Sequence, residues 1–198
     1  MVDRTGPNIE TVNKLLHAAE MPEPISFDLS IVERKDRFSF WRDIGSLVHR
    51  PIYDEYQHPT SLMVRARMLD LGDVVIGRMK SSAQHFERTE SMIKIDQVDS
   101  LMLILLEKGE MSWADSNGHY SMEPGDLVLL DNNCSFRCEW TAHQQLYCVF
   151  PREQLSATGW HEPTTALLKA DDPRANILRQ HLQSIWQEYR DGEKKWIP

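Results

Sequence analysis

The residues that could hold a catalytic metal are few and scattered in this chain. His85 and Glu87 alternate along one segment and could share a strand face, but no second histidine stands near them. A catalytic metal site needs several protein ligands and an open position. An exposed polar pair at the edge of a sheet therefore explains His85 and Glu87 better than a metal site, and His119 and His143, in or near turns, add no ligand set. We expect neither a bound metal nor another cofactor.

Activated nucleophiles are equally hard to find. The sequence has no Gly-x-Ser-x-Gly segment, and its three cysteines, Cys134, Cys138 and Cys148, have no nearby basic residue that would obviously lower the pKa of a thiol. Their number and spacing fit neither a disulfide framework nor a zinc knuckle. We therefore predict reduced thiols, a cytoplasmic location, no catalytic residues and no enzymatic activity.

The net charge and the apolar runs of the chain indicate whether it can bind DNA or a membrane. Across 198 residues, 22 Lys and Arg stand against 30 Asp and Glu, which gives a formal net charge of −8. Such a field repels a phosphate backbone, so this chain should not bind DNA alone. No apolar run approaches the roughly 18 residues of a membrane span, and the first residues do not resemble a signal peptide. We expect one hydrophobic core and no membrane contact.

Short runs with strand character occupy the middle of the chain. Polar or glycine-containing turns separate them, and Asn117-Gly118 is the strongest hairpin signal. The runs Leu101–Leu106 and Leu127–Leu130 are apolar at every position, so both faces of these strands should be covered. The pattern predicts a small antiparallel sandwich or barrel built from Val74–Ala83, Leu101–Leu106, Met111–Asp115, His119–Met122, Leu127–Leu130, Ser135–Trp140 and Gln145–Phe150.

Helical segments are predicted on both sides of these strands. Before them, one helix spans Ile9–Glu20, and Asp36 caps a second one that ends before Pro51. After them, the helical period returns at Arg152–Leu155, Thr164–Ala170 and Arg174–Arg190. The face of the second helix that should pack on the core carries Phe38, Trp41, Ile44, Leu47 and Val48.

The last predicted helix carries a narrow apolar seam. Leu178, Leu182, Ile185 and Tyr189 follow one another at spacings of four, three and four residues. A narrow seam suits a helix of another subunit. Packing against the chain's own barrel is the alternative.

Two longer segments carry a resemblance to a known family. Ser81–Thr89 (SSAQHFERT) and Gly118–Asp131 (GHYSMEPGDLVLLD), together with the FSFWRDI helix and the strand ending at Arg152, resemble the N-terminal ligand-binding domain of AraC-type (AraC/XylS) transcriptional regulators. The resemblance covers roughly Phe38 to Leu155. It implies a mainly β fold with flanking helices, a cupin-like antiparallel β-barrel that holds a small-molecule effector, and a C-terminal helical segment that forms a homodimer.

The resemblance also implies a division of the chain. Residues 1–35 would be an N-terminal arm, 36–155 the effector-binding barrel with its preceding helix, and 156–198 the dimerisation region with the start of a linker. DNA would be bound only through a C-terminal domain that is missing from this sequence. The seam at Leu178, Leu182, Ile185 and Tyr189 would then be the dimer contact.

Three candidate ligand-binding residues follow from the resemblance. Arg88 aligns with an arginine that contacts the sugar in the arabinose-sensing member. It could instead be a structural arginine that pairs with Glu87 or Glu90 or caps strand-end carbonyls. Gln145 and Tyr147 fall where that sensor contacts its ligand, but the residue types differ, which argues against arabinose itself.

Strand alternation adds the remaining candidates. Phe136 and Cys138 share the apolar face of one strand, and Trp113 lies in the hairpin strand. Any one of these could simply fill the barrel. The inward face of Val74–Ala83 stays open from sequence. The complete predicted set is Arg88, Trp113, Phe136, Cys138, Gln145 and Tyr147.

The sequence thus predicts an effector-sensing and dimerisation domain that controls a DNA-binding domain. Two alternatives remain: a cupin-type metal-dependent enzyme with an unusual site, and a dimerisation module whose interior is filled with side chains.

Overall fold

Two antiparallel sheets account for most of this computed structural model, which describes residues 24–45, 50–52, 62–156 and 165–194. The large sheet has the strand order β1-β3-β4-β11-β6-β9-β12, and the small sheet has the order β2-β5-β10-β7-β8. Within these ranges the strands are β1 (Ile25–Asp28), β2 (Arg50–Ile52), β3 (Val64–Asp70), β4 (Val75–Ser81), β5 (Gln84–Arg88), β6 (Ser100–Lys108), β7 (Met111–Asp115), β8 (Gly118–Met122), β9 (Leu127–Asp131), β10 (Phe136–Trp140), β11 (His143–Pro151) and β12 (Ala166–Leu168).

The two sheets share one interior. Because successive side chains on a strand point to opposite faces, β6 sends Ile104 and Leu106 inward and Leu103 and Leu105 outward, where each pair joins a separate apolar cluster. Both faces of this strand are therefore covered, as its uninterrupted apolar sequence predicts. The interior cluster consists of Ile104, Leu106, Met111, Trp113, Met122, Val128, Leu130, Phe136, Cys138, Trp140 and Tyr147.

A long helix covers the outer face of the large sheet. This helix is α4 (Pro173–Lys194), and its Ala175, Leu182 and Trp186 are buried against strand residues that include Leu105 and Leu146. Full burial of a side chain the size of Leu182 stabilises the fold by roughly 1.5–3 kcal/mol. The helix is therefore held to the barrel by its own apolar face.

Three shorter helices pack elsewhere. They are α1 (Arg37–Gly45), α2 (Glu90–Asp96) and α3 (Glu153–Ser156). Trp41 of α1 is buried, and its indole Nε1 donates to Gln84 Oε1 at 2.7 Å, as expected for the core-facing side of this helix. Helix α2, which the sequence did not predict, is capped by Thr89, whose hydroxyl accepts from the Met92 amide. The predicted Ile9–Glu20 helix lies outside the described residues.

Three details differ from the sequence predictions. Thr164–Ala170 is not a helix where it is described: Ala166–Leu168 pairs with β9 and satisfies the backbone groups of that edge. Ile25–Asp28 of the predicted arm pairs with β3 and belongs to the large sheet. The β7–β8 hairpin exists, but Asp115 pairs with Gly118, so Ser116 and Asn117 form its turn.

Candidate functional site

The side chains predicted to bind a ligand come together inside the barrel from both sheets. Those from the small sheet alternate with outward residues on β5, β7 and β10, and those from the large sheet lie on β11. Four of them belong to the interior apolar cluster. The small sheet supplies Arg88, Trp113, Phe136 and Cys138, and the large sheet supplies Gln145 and Tyr147.

Cross-strand register arranges these residues in levels. On the small sheet Phe136 lies opposite Arg88, and Cys138 lies opposite Trp113. The chain turns from β10 to β11 at residues 141–142, and the rings of Trp140 and His143 on either side of this corner are 4.4 Å apart. Successive inward residues of β10 and β11 therefore form levels of the interior, and the level nearest this corner is that of Trp140 and His143.

Arg88 is buried, with 1% of its surface exposed, and its donors are engaged within the chain. Its two terminal nitrogens donate to the Asp96 carboxylate at 2.8 and 3.0 Å, and Nε donates to the carbonyl of Asn132. This geometry matches the structural alternative considered from sequence, but with Asp96 as partner instead of Glu87 or Glu90. A direct ligand contact by Arg88 stays a prediction.

Two interior polar atoms lack partners among the described residues. Trp113 is 3% exposed and stacks on Tyr120 with ring centroids 4.9 Å apart, while its indole Nε1 is buried without an acceptor. Gln145 is 2% exposed, and its Oε1 is buried without a donor. A buried polar group in this condition costs roughly 1–3 kcal/mol, so both atoms are placed to receive a partner.

His143 contributes a third such atom, which sequence reasoning missed because the residue was assigned to a turn. Its Nδ1 lies 2.9 Å from the Thr141 carbonyl, which can only accept, so Nδ1 carries the proton and the buried Nε2 is an acceptor. Burial lowers the pKa of His143, and the hydrogen bond to Thr141 offsets this only partly. The imidazole is therefore neutral at pH 7.

The Cys138 and Tyr147 side chains of the interior are protonated and neutral. Burial raises the pKa of Cys138 to about 12 and that of Tyr147 to about 12. Burial also raises the pKa values of Cys134 and Cys148. Because the thiolate is the reactive form, burial makes these thiols less reactive.

Comparison with known proteins gives the chain a family. A model of the AraC-binding-like domain matches residues 41–195. This chain belongs to that family. An uncharacterized protein in the nit 5' region of Bacillus sp. (strain OxB-1) is 26% identical over 127 residues, which cover 64% of this chain and 49% of that protein. The chain thus spans about half the length of this relative.

Solved structures place the AraC-binding-like domain among known folds. The AraC-like transcriptional activator CuxR superposes with a TM-score of 0.75 at 15% identity, covering 83% of this chain and 60% of CuxR. EutQ of Clostridium difficile gives a TM-score of 0.36 at 14% identity, covering 46% and 64% respectively. The fold is mainly β, a cupin-like antiparallel barrel with flanking helices, as the sequence predicts.

The candidate metal pair of this AraC-binding-like domain lies on the outer face of the small sheet. His85 and Glu87 alternate with the inward Gln84 and Arg88, and Glu87 faces Arg137 at 3.5 Å. The pair is not at an edge, because β2 and β10 flank β5. Within the described ranges, no three His, Cys, Asp or Glu side chains form a metal-binding group.

The β4 strand resolves a question that the sequence left open. Gly77 pairs with the inward Tyr147, whereas Arg78 points outward, where its guanidinium lies 5.7 Å from the ring of Trp186 and pairs with Glu107 at 2.5 Å. The face with Val75 and Gly77 is therefore the inner one.

The predicted seam of α4 divides between two environments. Leu182 is buried on the barrel with 5% exposure, whereas Leu178 and Ile185 are 37% and 38% exposed. The side chain of Tyr189 lies outside the described residues. Ile177, which the sequence analysis did not select, is 67% exposed. A dimer contact through this helix stays a prediction. No helix of the described ranges is both long and apolar enough to cross a membrane.

A further residue that sequence reasoning missed is Asp126 of the Pro-Gly-Asp turn. Its carboxylate accepts from Lys169 Nζ at 2.8 Å and from the amides of Glu123 and Ala170 at 2.9 and 2.7 Å. This turn therefore anchors the segment that leads into α4.

Proposed function

We propose that this chain is the effector-sensing and dimerisation domain of an AraC-type transcription regulator. It binds a small molecule between its two sheets, forms a homodimer through α4, and controls a DNA-binding domain outside this sequence. The protein works in the cytoplasm. Membership of the AraC-binding-like domain family supports a regulatory role.

The observation that carries the proposal is the convergence of the predicted ligand residues on one interior. Arg88, Trp113 and Phe136 approach it from the small sheet, and Gln145 and Tyr147 approach it from the large sheet. A mainly apolar enclosure with a few polar atoms is the usual form of a small-molecule site. An effector held there contacts both sheets, so it stabilises the arrangement that suits it best.

Regulation of this kind needs no chemical step. Cys138 and Tyr147 hold their protons, and His85 and Glu87 point away from the interior. The metal-dependent enzyme considered from sequence therefore gains no support from these side chains. A near-stoichiometric transition metal in the purified protein would revive it.

A thermal-shift screen over sugars, aromatic acids and amides, amino-acid derivatives and fatty acids tests the proposal. A true effector raises the melting temperature further as its free concentration rises above Kd and binds once per chain in calorimetry. Phe136→Leu should weaken the best hit at least about tenfold, equivalent to roughly 1.4 kcal/mol. Glu139→Gln, on the outward face of the same strand, is the matched control and should leave the affinity unchanged.

Two results would count against the proposal. If no compound raises the melting temperature, the alternative of a dimerisation module with a filled interior is favoured. If a hit binds equally well to Phe136→Leu, its site lies elsewhere on the molecule.

A further inference from the structure

Resting on the function proposed above, we infer the chemical class of the effector: a neutral molecule with a flat apolar body and a group that both donates and accepts a hydrogen bond, such as an amide or hydroxyl. A carboxylate is the wrong partner for this interior. The inference comes from the position and polarity of Trp113, Gln145 and His143.

Trp113 and Gln145 lie at the same level of the barrel on facing sheets. Counting away from the corner at residues 141–142, Gln145 on β11 is level with Cys138 on β10. Cys138 is the cross-strand neighbour of Trp113. Both side chains face inward, Trp113 as part of the interior cluster and Gln145 on the same face as Tyr147.

The two unpartnered atoms of Trp113 and Gln145 are a hydrogen-bond donor and a hydrogen-bond acceptor. Trp113 Nε1 can only donate, and Gln145 Oε1 can only accept. They do not bond to each other or to another described residue. One guest group that accepts from the indole and donates to the amide oxygen would satisfy both, and an amide or hydroxyl has this capacity. Leaving them unmet costs roughly 1–3 kcal/mol per group, which such a guest would recover.

His143 is a further reason to expect a guest that donates a hydrogen bond. Its unpartnered Nε2 lone pair lies two residues before Gln145 on the same inward face of β11, about 6–7 Å along the strand. Two acceptors thus face the interior from the large sheet. A carboxylate offers only acceptors: it can accept from Trp113 Nε1, but it meets lone pairs at Gln145 Oε1 and His143 Nε2.

The one arginine of the predicted site does not compensate for this. The guanidinium of Arg88 is already neutralised by Asp96 through two hydrogen bonds and is bound to the Asn132 carbonyl. A buried anion needs a paired charge, and to obtain one here it would have to displace Asp96. Neutral guests avoid this cost.

Aromatic side chains define the shape of the guest. Phe136 and Tyr147 lie one level above Trp113, and Trp140 lies one level below. Rings favour stacked or edge contacts with other rings. We therefore expect the amide or hydroxyl of the guest to be carried by a flat ring.

Three probes of equal shape test the charge assignment: benzamide is neutral, benzoate is an anion and benzamidinium is a cation. Binding to the chain would be measured by calorimetry and ligand-observed NMR at pH 7.5. We expect benzamide to bind at least about tenfold more tightly than benzoate, the equivalent of roughly 1.4 kcal/mol. Tighter binding of benzoate would overturn the inference, while leaving the proposed sensing function intact.

Two variants test the residues. Trp113→Phe removes the indole N–H together with part of the ring, and Gln145→Leu removes the amide oxygen and nitrogen at nearly constant size. Each should weaken benzamide at least about fivefold without improving benzoate. Glu139→Gln is the control. Unchanged benzamide affinity in both variants would overturn the inference.

If none of the three benzene probes binds, the thermal-shift library distinguishes the sensing function from the proposed class of effector. Hits that are mainly neutral donors and acceptors, weakened by Gln145→Leu, would support the inference, and hits that are all carboxylates would overturn it. A library without any hit would instead contradict the sensing function itself.

Discussion

The ring of Tyr147 lies against the backbone of Gly77, its cross-strand partner. A Cβ at position 77 would sit 2.5 Å from both Cζ and Oη of that ring, closer than any real contact. Glycine therefore leaves the volume that the aromatic ring occupies on the inner face of the large sheet. Gly77 therefore allows the ring of Tyr147, a predicted ligand residue, to lie where it does.

Gly77→Ala should destabilise the barrel by about 1–3 kcal/mol, the usual cost of overpacking a core. Urea unfolding measures this directly. In a Tyr147→Leu background the ring is gone, so the same glycine substitution should cost much less, because substitutions at contacting residues are not additive. Equal costs in both backgrounds would contradict the contact.

Asp96→Asn tests whether Arg88 is a structural residue. The substitution leaves the Arg88 guanidinium, whose side chain is 0% exposed, without its carboxylate. Breaking a buried pair in this way typically costs roughly 3–5 kcal/mol, and we expect the lower end because the Asp96 side chain keeps partial contact with water.

The control for that experiment is Lys35→Gln, which breaks an exposed ion pair with Glu33. Such a pair contributes well under about 1 kcal/mol, so the midpoint of urea unfolding should hardly move. An equally small effect of Asp96→Asn would show that Arg88 is free to exchange its partner.

Asp126 should make the stability of the fold depend on pH in the acidic range. Burial alone would raise its pKa, but the hydrogen bonds from Lys169 and from the amides of Glu123 and Ala170 outweigh burial and lower the pKa below 3.8. Its stabilisation is therefore complete above that value and disappears as pH falls through the lower folded pKa. Asp126→Asn should cost about 1–2 kcal/mol at pH 7, and the difference from wild type should shrink below about pH 4. A constant difference down to pH 2 would be the contrary result.

His143 should give the free energy of unfolding a second dependence on pH, at higher pH than that of Asp126. Burial lowers its pKa below 6.5, so the unfolded chain binds a proton more readily than the folded one. The free energy of unfolding should fall as pH drops below about 6.5, until the folded pKa is passed. His143→Gln should remove this part of the slope. The same change at the exposed His119 is the control, and identical slopes in both variants would contradict the assignment.

The general architecture follows from local patterns. Alternation and turn residues predicted β7 at its observed bounds and β6, β8, β9, β10 and β11 nearly so, because each of these strands has one face or both in an apolar layer. Strands β3 and β5 were harder to predict, since charged residues such as Arg65 and Glu87 occupy their outer faces and dilute the apolar signal. Strand β12 depends on a long-range pairing with β9, which no local pattern reveals.

The sequence predicted that the candidate side chains share one interior, but it did not predict their hydrogen-bond partners. Parity along β10 and β11 identified the inward side chains, because the two-residue period leaves little choice. The partners of polar groups depend on distant segments: Asp96 reaches Arg88 only because α2 folds back on the barrel, and Asp126 reaches Ala170 across 44 positions. Reading the sequence alone could therefore place Arg88 inside but could not show that its charge is already matched.

The outward side of α4 yields the last prediction. Leu178 and Ile185, seven positions apart, are more than one third exposed, while Leu182 between them is buried on the barrel. Two copies of one surface can cover such an apolar stripe in a two-fold dimer. Wild type should be dimeric in sedimentation velocity at tens of micromolar. Ile185→Asp should be monomeric yet folded, because the buried Leu182 and Trp186 still hold the helix to the barrel.

Gln187→Asp introduces the same charge at an exposed position of the same helix and should remain dimeric. Leu182→Asp, in contrast, should unfold the chain, because it buries a charge against the large sheet. A wild-type monomer at the highest concentration reached, or a dimer that survives Ile185→Asp, would exclude this face of α4 as the contact between subunits.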